Sequence, residues 1–266
     1  MPHPARYLLF FLLFLLNHYG YSQEVSRSVF ASNQGDRKWM VYQDNYRALY
    51  RVLFNEASEQ LEKRSAYVST LRTDREWIAY KEELKRKYGA SLLKFRKTPL
   101  NPQITGRLER EKFIVEKIIF ESHPGFYVTG CLFIPKKRQD PAPAILYCSG
   151  HSENGFRSET YQRSIINLTE KGFIVFAFDP VGQGERLQYP DETTGKSMIG
   201  GPTTEHSYAG IQTLLTGSSI SDYFIWDGVR AIDFLATRKE VDMERIGITG
   251  RSGGGTQSAL ISAYDE

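Results

Sequence analysis
The chain has 266 residues, 41% hydrophobic and 24% charged, which is ordinary globular usage and excludes wholesale disorder or a fibrous repeat. Thirty-four Lys and Arg stand against 31 Asp and Glu, a balance spread along the chain that gives no basic face for nucleic acid. Two cysteines exclude a disulfide-rich scaffold and any zinc cluster built on Cys.

The N-terminus reads as an address. Arg6 precedes an apolar run from Tyr7 to Leu16, and Gly20 and Ser22 supply small residues at the −3 and −1 positions of a cleavage site. Ten helical residues rise only about 15 Å, short of a hydrocarbon core of about 30 Å. Residues 1–22 are therefore expected to be a cleaved signal peptide, which makes the protein secreted or periplasmic with no membrane anchor after cleavage. No cysteine near the cleavage point supports a lipid anchor.

Residues 23–101 form a helical lead with its junction. Between Asp44 and Leu71, Leu49, Leu53, Ala57 and Leu61 recur every fourth residue and predict one helix. Thr73 with Glu76 predicts a capping box for a second, with Trp77, Tyr80 and Leu84 on its apolar face and Gly89 as its stop. Lys97-Thr98-Pro99-Leu100-Asn101-Pro102 then breaks helical geometry twice.

Residues 102–266 read as a β/α body. Phe113–Glu121 and Phe126–Ile134 flank His123-Pro124-Gly125 and predict a hairpin. Ala144–Cys148 is a short apolar strand, followed by a helix through Ile165, Ile166 and Leu168. Phe173–Phe178 is continuously apolar, as in a parallel strand covered on both faces. The stretch between Gly184 and Ile220 is too long for a plain connection; Tyr208, Ile211, Leu214 and Leu215 predict a short helix in it. A helix Asp222–Thr237 follows, with Ile225, Val229, Ile232 and Ala236 on one stripe, and then a strand Arg245–Gly250. A hairpin leading into strands that alternate with helices predicts an α/β sheet with one mixed edge. Cys131 and Cys148 read as buried thiols on neighbouring strands, although export makes a disulfide between them chemically permissible.

One motif carries chemistry. Gly250-Arg251-Ser252-Gly253-Gly254 is G-x-S-x-G, set between a strand and the small-residue stretch Thr256–Ala263 that can be helical. That is the strand–elbow–helix setting of a nucleophilic serine. The glycines at −2 and +2 leave room for the turn, and the turn places Ser252 at a helix N-terminus. There the Gly253 N–H can hold a developing oxyanion. The loop Ser149-Gly150-His151 after the Ala144–Cys148 strand is placed to give the second oxyanion N–H. His151 reads as that backbone donor, with its imidazole lining the acyl pocket, rather than as the base. Asp179, at the end of the next strand, reads as a brace for the turn Gly182-Gln183-Gly184. Those glycines are no dinucleotide fingerprint, and G-x-x-x-x-G-K-[ST] is absent, so no cofactor or metal is expected. Tyr189, His206 and Tyr208 fit substrate, core or surface roles equally.

At these residues the chain resembles the α/β-hydrolase superfamily, and within it bacterial acetyl xylan esterase-like hydrolases. The likeness covers about residues 38–266. It includes Lys97-Thr98-Pro99-Leu100-Asn101 and Phe120-Glu121-Ser122-His123-Pro124-Gly125-Phe126-Tyr127-Val128. It continues through Asp179-Pro180-Val181-Gly182-Gln183-Gly184-Glu185-Arg186 and Gly250-Arg251-Ser252-Gly253-Gly254-Gly255-Thr256-Gln257. The resemblance implies an α/β-hydrolase fold, mostly parallel with an antiparallel first hairpin. It also implies Ser252 as nucleophile and the N–H groups of His151 and Gly253 as oxyanion hole. The implied substrate is a small acyl ester, with acetyl groups on plant cell-wall polysaccharide as the expected case.

In that fold the acid and histidine follow the serine. After Ser252 come 14 residues with no histidine. Asp265 and Glu266 would lie at the far end of the elbow helix, roughly 20 Å away at 1.5 Å per residue. The chain is thus expected to be the N-terminal part of a secreted serine esterase, halted after its nucleophile helix, inactive as it stands and prone to aggregate through a free sheet edge. Two other readings are open. One is a complete enzyme using Asp179 or Asp222 with His151 or His206; the other is a remnant or carbohydrate-binding protein without catalysis. A peptidase of the prolyl oligopeptidase kind would share the elbow but needs a large propeller where this chain has two helices.

Overall fold
A computed structural model describes residues 47–265, in which residues up to Arg72 and those from Thr73 onward form two separate units. The first contains helix α1 (Ala48–Val68), inside the expected span; the leader expected over residues 1–22 lies outside the described residues. Among the described residues, no helix is long and apolar enough to cross a membrane.

The second unit opens with α2 (Asp74–Ser91). Its start follows the predicted chemistry: Glu76 N–H donates to Thr73 Oγ1 at 3.3 Å and Thr73 N–H to Glu76 Oε2 at 2.8 Å. Gly89 does not stop it; the helix runs two residues further. Of the expected stripe only Tyr80 is buried, with Trp77 and Leu84 each 41% exposed. The helix docks instead through its end, where the Tyr88 hydroxyl donates to the Leu260 carbonyl at 3.1 Å.

Six strands follow: β1 (Gln103–Glu109), β2 (Phe113–His123), β3 (Phe126–Pro135), β4 (Ala142–Cys148), β5 (Ile174–Phe178) and β6 (Val241–Gly250). They lie in the order β1-β2-β3-β5-β4-β6. The first three pairings along the sheet are antiparallel, whereas β5–β4 and β4–β6 are parallel. β2, β5, β4 and β6 therefore run one way and β1 and β3 the other. Four of the six strands thus share one direction, as in the sheet expected, and the antiparallel part extends from the first hairpin to the β3–β5 pairing. β1 was not anticipated, because seven mostly exposed residues (Gln-Ile-Thr-Gly-Arg-Leu-Glu) on an edge carry no apolar alternation.

Alternation through the central strands divides the core. Ile174, Phe176 and Phe178 of β5, with Leu146 and Cys148 of β4, face helices α5 (Ile220–Ala236) and α6 (Gly253–Tyr264). Val175, Ala177 and Tyr147 face α3 (Glu159–Glu170). Phe176 and Phe120 both pack on Phe234 of α5, at centroid distances of 5.0 and 5.8 Å. Burying such a ring is worth about 3–5 kcal/mol against Ala. The stripe expected on α5 is wider than four residues: Trp226, Ala231, Phe234 and Leu235 are buried as well, while Ala236 is exposed. The helix expected around Tyr208–Leu215 is α4 (Pro202–Leu215).

Cys131 and Cys148 are free thiols. They sit on β3 and β4, which are not neighbours; β5 runs between them. Two strand spacings of about 4.8 Å exceed the Cα separation a disulfide spans. Burial pushes Cys131 up to about 11 and Cys148 to about 12, which leaves both as unreactive thiols at neutral pH.

Candidate active site
The parallel register Cys148↔Gly250 brings the C-terminal ends of β4 and β6 side by side. The loops leaving them are therefore neighbours. Ser252 follows β6 with φ 56° and ψ −124°, a left-handed backbone that no side chain favours, immediately before α6. Holding a serine there costs on the order of 1–3 kcal/mol, and such strain gathers at functional sites. The two flanking glycines make the turn possible by close approach. A Cβ on Gly250 would overlap the backbone of Gly254, and one on Gly254 would overlap that of Cys148. Ser252 is exposed at the head of α6.

The β4 loop closes on this elbow. A Cβ on Gly150 would stand 2.7 Å from the Tyr161 hydroxyl and 3.2 Å from Ser252 Cβ. Gln183 ties the loop down from β5's side, its amide donating to Ser149 Oγ and the Gly150 carbonyl, both at 3.2 Å. The His151 ring lies against Gly253: a Cβ there would be 2.8 Å from His151 Cε1. Ser252, Gly253 and His151, named from sequence, are thus brought together.

His206 joins them from α4, with His151 Nε2 3.1 Å from its Nδ1 and its own Nε2 2.8 Å from the Val181 carbonyl. Burial, then the neighbouring His151, lowers its pKa from 6.5 to about 4. The contact with His151 spans 55 residues and Gln183's contact with Ser149 spans 34; no local pattern announces either. Among the described residues no histidine hydrogen-bonds Ser252 Oγ.

The carboxylates stand apart from this chemistry. Asp179 is fully buried and accepts from Phe156 N–H and Glu185 N–H, each at 3.2 Å, and from Arg157 at 2.7 Å. Burial raises its pKa, and Arg157 with the two backbone donors opposes the rise. It is the brace expected. Asp222 accepts from Ser219 N–H at 2.8 Å, closing a capping box on α5. Asp227 is buried against Arg186 at 2.6 Å. Tyr189 and Tyr208 pack edge to face at 5.9 Å. Among the described residues no three His, Cys, Asp or Glu side chains converge as a metal site requires.

A model of the acetyl xylan esterase (AXE1) family matches residues 69–266. YtaP of Bacillus subtilis (strain 168), a hydrolase by name, is 28% identical over 173 residues, which is 59% of this chain and 51% of that protein. A protein of Bacteroides fragilis NCTC 9343 named an acetyl xylan esterase shares the fold with a TM-score of 0.61 and 21% identity, over 72% of this chain and 51% of that one. Acetyl xylan esterase 1 of Thermoanaerobacterium sp. JW/SL YS485 follows at TM-score 0.51 and 21% identity, over 70% of this chain and 54% of that one. The chain spans about half the length of these relatives.

Proposed function
Because the chain belongs to the acetyl xylan esterase family, we propose that it carries the nucleophile side of a serine ester hydrolase that removes acetyl groups from polysaccharide. In this reading Ser252 Oγ attacks the ester carbonyl carbon. The carbonyl oxygen takes the electron pair and is held by the backbone N–H groups of Gly253 and His151. Collapse then expels the sugar alkoxide, which takes the proton that the base removed from Ser252, and leaves an acetyl-enzyme that water hydrolyses to acetate. The observation that carries the reading is the strained elbow, with Ser252 held at φ 56° at the head of α6. That position combines an exposed hydroxyl with the positive end of a helix dipole.

The proton of Ser252 needs a base. His151 makes its hydrogen bond to His206 and none to Ser252 Oγ, His206 is engaged with Val181, and Asp179 and Asp222 are committed to Arg157 and to a helix cap. We place the base and its carboxylate in sequence outside residues 47–265. The leader over residues 1–22 puts the reaction outside the cytoplasm, where polymeric substrate is met.

Acetate release from acetylated xylan, measured with the protein at its full natural length, tests this. Release that Ser252→Ala abolishes is the expected outcome; release that the variant retains, or none by the wild type, sinks the reading.

A further inference from the structure
The two rings beside the elbow are joined in a fixed sense. The Val181 carbonyl can only accept, so the His206 nitrogen 2.8 Å from it, Nε2, carries the proton. Burial keeps His206 neutral, which leaves a lone pair on its Nδ1. The bond of 3.1 Å to His151 is then made by a proton on His151 Nε2. His206 itself is held by two segments. Phe224 of α5 meets its ring edge to face at 4.9 Å, and in the Val181-Gly182 turn the Val181 carbonyl accepts its hydrogen bond while Gly182 lies so close that a Cβ would be 2.8 Å from its Cδ2.

The consequence falls on the other edge of His151. Measured from a Cβ built on Gly253, Cε1 lies at 2.8 Å, Nδ1 at 3.0 Å and Nε2 at 3.5 Å. Gly253 therefore lies under the face of the ring, nearer Cε1 and Nδ1 than Nε2, and the Nδ1 edge, which His206 does not use, belongs to an exposed ring beside the elbow. In neutral His151, with its proton on Nε2, that edge carries a lone pair.

We propose that His151 reads the substrate, its Nδ1 accepting a hydrogen bond from a free hydroxyl beside the scissile ester, and that His206 is the positioning residue that fixes the tautomer. The substrate class is an ester of a sugar or polyol with a vicinal hydroxyl, as opposed to an aryl or simple alkyl ester. The substrate half rests on the ester-hydrolase reading above; the tautomer half does not.

Long-range proton–nitrogen spectra of the histidines, recorded on the full chain, separate the halves. The expected result is Nε2–H on both His151 and His206. In His206→Phe, which keeps a ring against Phe224 but removes the acceptor, His151 becomes a mixture of tautomers. In His206→Asn, whose Oδ1 stands near the former Nδ1, the Nε2–H form returns. Nδ1–H or a mixture on His151 in the wild type overturns the positioning role.

The second readout is the ratio of kcat/KM for monoacetylated xylobiose with a free vicinal hydroxyl over that for p-nitrophenyl acetate. Loss of one hydrogen bond is worth roughly a tenfold fall in that ratio. The fall is expected in KM for the sugar ester with His206→Phe, and recovery is expected with His206→Asn. A ratio equal in all three proteins overturns the substrate half, as does hydrolysis of the aryl ester alone. Hydrolysis of neither ester, or of both by Ser252→Ala, rejects the ester-hydrolase reading and the substrate half together, while the spectra still decide the tautomer.

Discussion
The loop after β5 and the loops after β4 and β6 leave the same end of the same sheet, yet they are built for opposite ends. Asp179 in the first is fully buried and takes two backbone donors and a guanidinium. Ser252 and His151 in the others are exposed, and one edge of His151 has no assigned structural task. A polar group with every valence spoken for fixes geometry; a polar group held in place but left open to solvent can meet a substrate. The lesson is that proximity to a strand's C-terminal end does not make a carboxylate catalytic; its list of partners decides.

The sharpest way to break this contrast is to remove one group from each side and compare activity with stability. Ser252→Ala is expected to lower acetate release at least a thousandfold, on the order of 4 kcal/mol of transition-state stabilisation. Its urea midpoint should stay near that of the wild type, since Ser252 Oγ has no hydrogen-bond partner among the described residues. A comparable loss of stability would place Ser252 on the structural side. On the other side, Gly184→Ala forces a Cβ into the Asp179 carboxylate at a φ of +61°. About 3 kcal/mol of stability should go, read as a shift in the denaturation midpoint. A well-folded Gly184→Ala would show that the brace yields, and the contrast would fail.

What sequence could foretell follows from how local each feature is. The elbow was legible because its strand, its two glycines and its helix are contiguous, so Ser252 and Gly253 could be named before any coordinates. β5 was legible for a similar reason: five consecutive apolar residues have one explanation when all are buried. β1 was not, because an exposed edge strand needs only backbone partners, which it takes from β2 in the register Gln103↔Ile119. Nor was the full width of the stripe on α5, which includes Trp226 reaching the Ser122 carbonyl at 2.7 Å, a contact 104 residues away in sequence. The His151–His206 bond belongs with these. The position of His151 beside Gly253 was expected; the residue that orients it was one of three aromatic candidates of equal standing.

A smaller effect sharpens the comparison through pH. The unfolded chain protonates His206 near 6.5, but the folded protein resists until about 4. Between those values the unfolded state binds more protons, so stability rises with pH. The contribution is present above 6.5 and is lost as pH falls toward 4. The shift corresponds to about 3 kcal/mol at most, and partial solvent access reduces it to roughly 1–2 kcal/mol. Carboxylates titrate in the same window, so the difference between wild type and His206→Asn is the quantity to read. The wild type should lose more stability than the variant between pH 7 and pH 5 in urea titrations. Parallel losses would remove His206 from the buried side of the site.

The least disruptive substitution is also the most discriminating, because it repeats the Gly184 experiment across the divide. Gly253→Ala also adds a methyl that meets a neighbour, His151 Cε1 at 2.8 Å. Here the neighbour is an exposed ring tied by one hydrogen bond rather than a carboxylate held by three donors. Gly253 also opens α6, with no positive φ to forbid a side chain, and Ala favours a helix over Gly by up to about 1 kcal/mol. The ring's displacement and the helix gain should nearly cancel, leaving stability within about 1 kcal/mol of the wild type. Activity should not be spared, because the displaced imidazole no longer stands beside the nucleophile and its histidine spectrum should lose the single tautomer. Stability near wild type with altered His151 resonances would show that the same added atom breaks a brace in one loop and only unseats a reader in the other. A large stability loss in Gly253→Ala would make His151 a structural residue after all.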